Sequence, residues 1–211
     1  ALGLHTLGLI PRIKRFEELL VDPDREEGNI AELYRLINNN THFSRYKQKK
    51  SIILVTSMLK GEGKTTCAVN FAITNAMSGK KVVIVDADLR RPAVFKAFPQ
   101  HFEGHFNTGL SQYLQGKQRL DEIILPTHVP NLSWIPGGTR TKSPARLLAE
   151  PRMRELLPHL DTRYDLVVVD APSILPVVDA TVLAEYVDAM ILVVCFKMTS
   201  RHFFKNGLER I

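Results

Sequence analysis

Ile52-Ile53-Leu54-Val55-Thr56-Ser57-Met58-Leu59-Lys60-Gly61-Glu62-Gly63-Lys64-Thr65-Thr66 decides how the rest of this chain is read. An apolar run leads into a glycine-rich turn and then Gly-Lys-Thr. Cys67, Ala68, Phe71, Ala72 and Met77 follow at helical spacing. Strand, turn and helix in that order are the context of a phosphate-binding loop. Glycines let successive backbone N–H groups converge on phosphate oxygens without a Cβ in the way. The helix that opens next points its positive end at the same place. The expected nucleotide contacts are therefore Lys60, Gly61, Glu62, Gly63, Lys64, Thr65 and Thr66. Lys64 reaches the β- and γ-phosphates, and the Thr65 hydroxyl ligates Mg²⁺. The general pattern places a glycine five positions before Gly63, where this chain has Met58. The loop is a variant.

Two more strands end in acids. Val82-Val83-Ile84-Val85-Asp86-Ala87-Asp88-Leu89-Arg90-Arg91-Pro92 alternates Asp86 and Asp88 on an extended end, so both carboxylates point to one side. Paired carboxylates beside a triphosphate hold Mg²⁺ directly or through water, and one can accept a hydroxyl proton. Leu166-Val167-Val168-Val169-Asp170-Ala171-Pro172 has the layout of a Walker B carboxylate, with Asp170 in the Mg²⁺ shell.

Runs at 52–56, 82–86, 132–135, 166–170 and 190–195 are nearly all apolar and β-branched, as strands covered on both faces must be. Helical patterns at 65–77, 143–148, 152–160 and 179–186 alternate with them. The fold class is α/β: a P-loop NTPase with a mostly parallel, doubly wound sheet and helices on both faces. Ligands of such sheets sit beyond the carboxyl ends of the strands, where all three motifs fall. A helical stripe at 26–40 carries Ile30, Leu33, Leu36 and Ile37 after a turn at Asp22-Pro23-Asp24. The stretch 99–109 resists assignment. The expected organisation is an N-terminal segment at 1–50, with a helix for oligomer contacts, and a core at 51–211 cut short at its C-terminal end.

With 211 residues the chain suits one domain. No apolar run approaches the ~20 residues of a bilayer span. The first ten residues are apolar but short, and are not read as a signal peptide. A start on Ala without Met suggests a fragment. Two cysteines, Cys67 and Cys195, give neither a disulfide framework nor ligand spacing, and read as core thiols of a reducing compartment. The net charge of +6 permits nucleic acid or anionic lipid, and equally suits a protein that handles ATP. Lys47, Lys49 and Lys50 read as a solvated strand entry, and no nucleic-acid partner is expected.

The set Gly61-Glu62-Gly63-Lys64-Thr65-Thr66, Val85-Asp86-Ala87-Asp88-Leu89-Arg90-Arg91-Pro92 and Val169-Asp170-Ala171-Pro172 resembles the bacterial tyrosine kinases, or BY-kinases. These carry a Walker A, an extra A-prime strand and a Walker B. Gly109-Leu110-Ser111, Leu147-Leu148 and Val178-Asp179-Ala180 are similar to further family segments, and the likeness runs over about residues 7–201. It implies ATP-dependent tyrosine autophosphorylation that controls capsular or extracellular polysaccharide export, with ATP and Mg²⁺ as cofactors. It implies catalytic roles for Lys64, Asp86, Asp88 and Arg90, with Asp86 positioning and deprotonating the tyrosine. Thr65, Asp88 and Asp170 then serve the metal. Arg90 and Arg91 are left with two roles, steadying the acids or touching a neighbouring subunit.

The family's Glu-x-x-Arg-x-x-Arg oligomerisation motif reads here as Glu32, Arg35 and Asn38. Glu32 and Arg35 suit either an i,i+3 surface pair or an interface. Lys60 replaces a proline, Ser173 a second proline, and Ser143 an asparagine. The expected partners are other copies of the chain, in a ring that phosphorylates in trans, a tyrosine-rich tail outside this chain, and a cognate phosphatase. Leu7-Gly8-Leu9-Ile10-Pro11 resembles the junction after a membrane-spanning activator, in the same or another polypeptide. That implies the cytoplasmic face of the bacterial inner membrane. The rival readings are a partition- or positioning-type ATPase and a nucleotide-binding module that no longer phosphorylates. The first usually carries a signature lysine where this chain has Leu59.

Overall fold

The computed structural model describes residues 4–11, 13, 20–23, 29–42, 51–98 and 107–211. Lys47, Lys49, Lys50, Tyr46, Asp24, the first turn of the helix expected from 26, and most of the unassigned stretch at 99–109 lie outside them.

Six strands form one sheet. They are β1 (Ile52–Ser57), β2 (Val82–Asp86), β3 (Leu125–Pro126), β4 (Leu132–Ile135), β5 (Leu166–Asp170) and β6 (Ala189–Val193). Their spatial order is β3-β4-β2-β5-β1-β6. All pairings are parallel except β3 with β4. Strand side chains alternate between faces, and the core divides accordingly. Ile52, Leu54, Val83, Val85, Val167 and Val169 face one apolar cluster. Ile53, Val55, Val82, Ile84, Leu166 and Val168 face the other. Both faces are covered, which is why the strands are apolar throughout.

The second face is covered by α1 (Asn29–His42), through Ala31, Tyr34 and Ile37, and by α2 (Lys64–Met77). The first is covered by α3 (Leu110–Leu114), α5 (Pro144–Leu148), α6 (Pro151–Arg163), α7 (Asp179–Ala184) and α8 (Arg201–Leu208). Short α4 (Leu120–Ile123) leads into β3. The doubly wound reading holds. Three details differ from the sequence expectation. The last strand ends at Val193 rather than 195 and is half-buried, because it lies at the sheet edge with β1 on one side only. Cys195 therefore sits in the following loop, not in a buried strand. The fourth helical pattern ends at Ala184.

On α1, Glu32 and Arg35 form the expected i,i+3 pair at 3.0 Å and stay exposed. Asn38, at the place of the motif's second arginine, is buried. Only the first two motif positions face outward.

Met58, the missing loop glycine, is fully buried. It packs on α8: a Cβ built on Gly207 would lie 2.1 Å from Met58 Sδ and 3.0 Å from its Cε. The position that departs from the general loop pattern is thus a core contact to the last helix. Gly207→Ala should gain helix propensity yet lose more to overpacking, for a net cost of about 1–3 kcal/mol. Chemical denaturation of this variant and of Gly207→Ala/Met58→Ala reads it: the second substitution should recover part of the loss. A stabilised single variant would contradict the packing argument.

Candidate active site

Gly61 and Gly63 adopt φ of 90° and 92°, a region L-residues rarely enter. Those two turns carry the chain from β1 into α2, where Cys67 N–H donates to the Gly63 carbonyl at 2.9 Å. No side chain caps α2, so its first N–H groups remain open to an anion. Lys60 is exposed in the turn, and Thr66 lies in the first turn of α2. The Glu62 side chain has partners of its own. Its carboxylate is buried and accepts from Leu59 N–H at 2.6 Å, Cys195 N–H at 3.1 Å and the Thr199 hydroxyl. The side chain ties the loop to the segment after β6, which leaves the Glu62 backbone N–H for phosphate.

Lys64 Nζ lies 3.0 Å from Asp88 Oδ2, 3.7 Å from Asp170 Oδ1 and 3.2 Å from Thr65 Oγ1. The Thr65 hydroxyl donates to Asp170 Oδ2 at 2.7 Å. Burial opposes the Lys64 charge, but Asp170 and Asp88 outweigh it and hold its pKa above the ordinary value. Asp86 and Asp170 are register partners on adjacent parallel strands. Asp86 Oδ2 accepts the N–H groups of Ala93 and Val94, both at 3.0 Å. Asp88 Oδ1 accepts Arg91 N–H at 3.0 Å. Three strand ends and one helix start thus converge as the motifs require.

Both deeper acids are held toward their neutral forms. Burial, then the Asp170 charge, pushes Asp86 well above the usual carboxylate range. Burial pushes Asp170 up to about 6, against the pull of Lys64 and Thr65. Asp86 Oδ1 and Asp170 Oδ1 are buried and make no hydrogen bond. Hard oxygens that make no hydrogen bond, beside a hydroxyl, are what Mg²⁺ selects, so the donor set fits that ion. Among the described residues, no group of three or more His, Cys, Asp or Glu side chains is arranged to hold a metal alone. The remaining ligands would come from phosphate and water, as is usual for Mg²⁺.

These raised values carry a pH signature. Folded Asp170 and Asp86 keep protons that the unfolded chain, near the ordinary value of ~4, has already shed. They therefore cost stability above about pH 6, and the cost fades as pH falls toward ~4. Thermal denaturation of Asp170→Asn without nucleotide should show a gain over the parent at about pH 7.5 that shrinks at about pH 5. A larger gain at the lower pH would reverse the sign.

Arg90 turns toward α7. Its Nε and Nη2 donate to Asp179 Oδ2 and Oδ1 at 2.8 and 2.9 Å. Sequence reasoning assigned no role to Asp179. An Asp in the first turn of a helix reads as a favourable dipole partner, and nothing local announces an arginine 89 residues away.

The family model described as an AAA domain matches residues 50–211. Tyrosine-protein kinase YwqD of Bacillus subtilis is 34% identical over 181 residues, covering 86% of this chain and 75% of that protein. The chain belongs to the bacterial tyrosine kinase family. The kinase domain of Escherichia coli tyrosine kinase ETK superposes with a TM-score of 0.85 at 28% identity, over 99% of this chain and 85% of that one. The chimerical protein CapA2B2 superposes at 0.87 and 30% identity, over 100% and 89%. Full-length Etk of E. coli K12 is 32% identical across 95% of this chain, but this chain spans only 27% of it. The chain is a bacterial protein-tyrosine kinase domain with an ATP-using P-loop, which sets aside the partition-type reading. Among the described residues, no helix of this kinase domain is long and apolar enough to cross a membrane.

Proposed function

We propose that the chain transfers the γ-phosphoryl of Mg·ATP to tyrosine hydroxyls, chiefly on copies of itself, within a system that builds or exports capsular or extracellular polysaccharide. The observation that carries this is the meeting of Lys64, Thr65, Asp86, Asp88 and Asp170 at one end of the sheet. Backbone N–H groups from Gly61 to Thr66 cradle the phosphates, and Lys64 balances charge on the transferring group. Lys64 leaves its carboxylate partners to do so. Thr65, Asp170 and Asp88 would hold Mg²⁺, directly or through water. When bound, the ion supplies charge neutralisation on the β- and γ-phosphate oxygens. Asp86 orients the tyrosine hydroxyl and accepts its proton. Its raised pKa suits a base that works near neutral pH once a cation favours its charged form.

Tyr34 and Tyr164 are buried and so poorly placed as acceptors, whereas Tyr113 and Tyr186 are partly exposed. A tyrosine-rich segment outside this chain is the better acceptor, used in trans within a homo-oligomer that α1 helps to form. A membrane-spanning activator is the natural partner, and the likeness to the chimerical protein CapA2B2 supports it. That partner would hold the domain at the inner face of the bacterial membrane, with a phosphatase to reset it.

Mass spectrometry of the full-length protein after incubation with Mg·ATP tests the proposal. Phosphotyrosine should accumulate, and a tyrosine peptide added as acceptor should be modified. ATP hydrolysis with no phosphotyrosine on either would overturn it.

A further inference from the structure

We propose that Asp179 is a positioning residue for phosphoryl transfer, acting through Arg90 on the two A-prime acids; the proposal rests on the kinase reading above. The Asp179 side chain is 0% exposed, and both its oxygens are taken by the Arg90 guanidinium. A paired fork of this kind fixes both distance and orientation. As a stability device this pair is weak, because Asp179 is buried at a desolvation cost while Arg90 is partly exposed and its attraction is screened by solvent. As a geometric device it is well suited.

What it positions follows from its place in the chain. Arg90 lies midway along the loop that holds both acids. Arg91 N–H fastens Asp88, and Ala93 and Val94 N–H fasten Asp86. The other end of the clamp stands on the frame of the phosphate loop. Asp179 opens α7, whose Ala180 and Leu183 are buried in the core. The segment leading to α7 is sewn to the end of β1: Ile174 N–H donates to the Ser57 carbonyl at 2.9 Å, and Leu175 N–H to the Met58 carbonyl at 3.2 Å. The Arg90–Asp179 pair therefore links the loop that aims Asp86 and Asp88 to the frame that presents Lys64. Without it, the backbone N–H groups under the two carboxylates lose a fixed reference, and a shift of ~1 Å can cost about a hundredfold in rate.

Asp179→Asn keeps the shape and removes the charge. Arg90→Lys keeps the charge and removes the fork. In the full-length protein, Asp179→Asn should lower kcat at least about tenfold, with Mg·ATP affinity within about twofold and thermal stability little changed. Amide hydrogen exchange at Arg91, Ala93 and Val94 should accelerate. Arg90→Lys should behave alike and serves should Asp179→Asn fail to fold. The double variant should be no worse than the more damaged single one, since both break one contact. Unchanged kcat, unchanged exchange at 91–94, or a rate loss explained by weaker nucleotide binding would overturn the proposal. Exchange needs no kinase activity. A parent protein that forms no phosphotyrosine would sink the kinase reading, while the exchange measurement still judges the clamp.

Discussion

Lys64→Met lowers tyrosine phosphorylation by at least about a thousandfold and leaves the fold standing. The ammonium is the one cation seen against both Asp88 and Asp170 among the described contacts, at 3.0 and 3.7 Å. Methionine fills the volume of the stem without the charge. The site then lacks a group to balance charge on the transferring phosphoryl, which is a loss specific to the transition state. Stability should hold for a different reason. With the cation gone, Asp170, already up at about 6, rises further and takes a proton, so this fully buried acid is not left as a bare charge, and Asp88 keeps the Arg91 N–H. Labelled phosphate incorporation, with circular dichroism as the fold control, measures both. Residual transfer within tenfold of the parent would remove Lys64 from the mechanism.

Asp86→Asn separates the proton acceptor from the metal carboxylate Asp170. Asparagine can still accept from Ala93 and Val94 N–H through its carbonyl, so the loop should keep its shape. It cannot take a proton from tyrosine. The expected loss in kcat is about 10²- to 10⁴-fold, with Mg·ATP affinity within about twofold. Asp170→Asn should behave in the opposite manner and raise the Mg²⁺ concentration needed for half-maximal rate. Steady-state kinetics over a Mg²⁺ series distinguishes them. If Asp86→Asn instead shifts the Mg²⁺ requirement and spares kcat at saturation, the two acids exchange roles.

The sheet and the ends of its central strands were legible in the sequence because both faces are covered, so five strands appear as apolar runs ending at chemistry-bearing residues. The phosphate loop was legible because glycine geometry, lysine and helix start are contiguous. The features that escaped are those made by distant pairs. Two-residue β3 and five-residue α3 are too short to carry a period. Gly109 and Gly138 owe their identity to close approaches by other segments: a Cβ on the first would meet Pro136 O at 2.3 Å, and one on the second would meet Gln112 Oε1 at 2.1 Å. Glu62 sits inside the phosphate motif, and its tie to Cys195 and Thr199 is invisible until the chain folds back. Met58, which marks the loop as a variant, proves to be a packing residue for Gly207. The sheet edge was over-extended at β6 because an apolar strand with one neighbour and one with two share the same composition.

Asp86 and Asp170 stand opposite one another on neighbouring parallel strands. Strands in a sheet are ~4.8 Å apart whatever the surrounding helices do. The backbone spacing between the proton acceptor and the metal carboxylate is therefore not a variable that an activator, a second subunit or a phosphorylated tail could adjust; only the aim of the Asp86 carboxylate, set by Ala93 and Val94 N–H, can change. Control must act on the parts that are not rungs of the ladder: the Lys64 side chain, the Asp88 carboxylate and the turn from Lys60 to Gly63. An inhibitor that holds Lys64 against its acids would exploit the same freedom, because it denies the ammonium to the transferring phosphoryl.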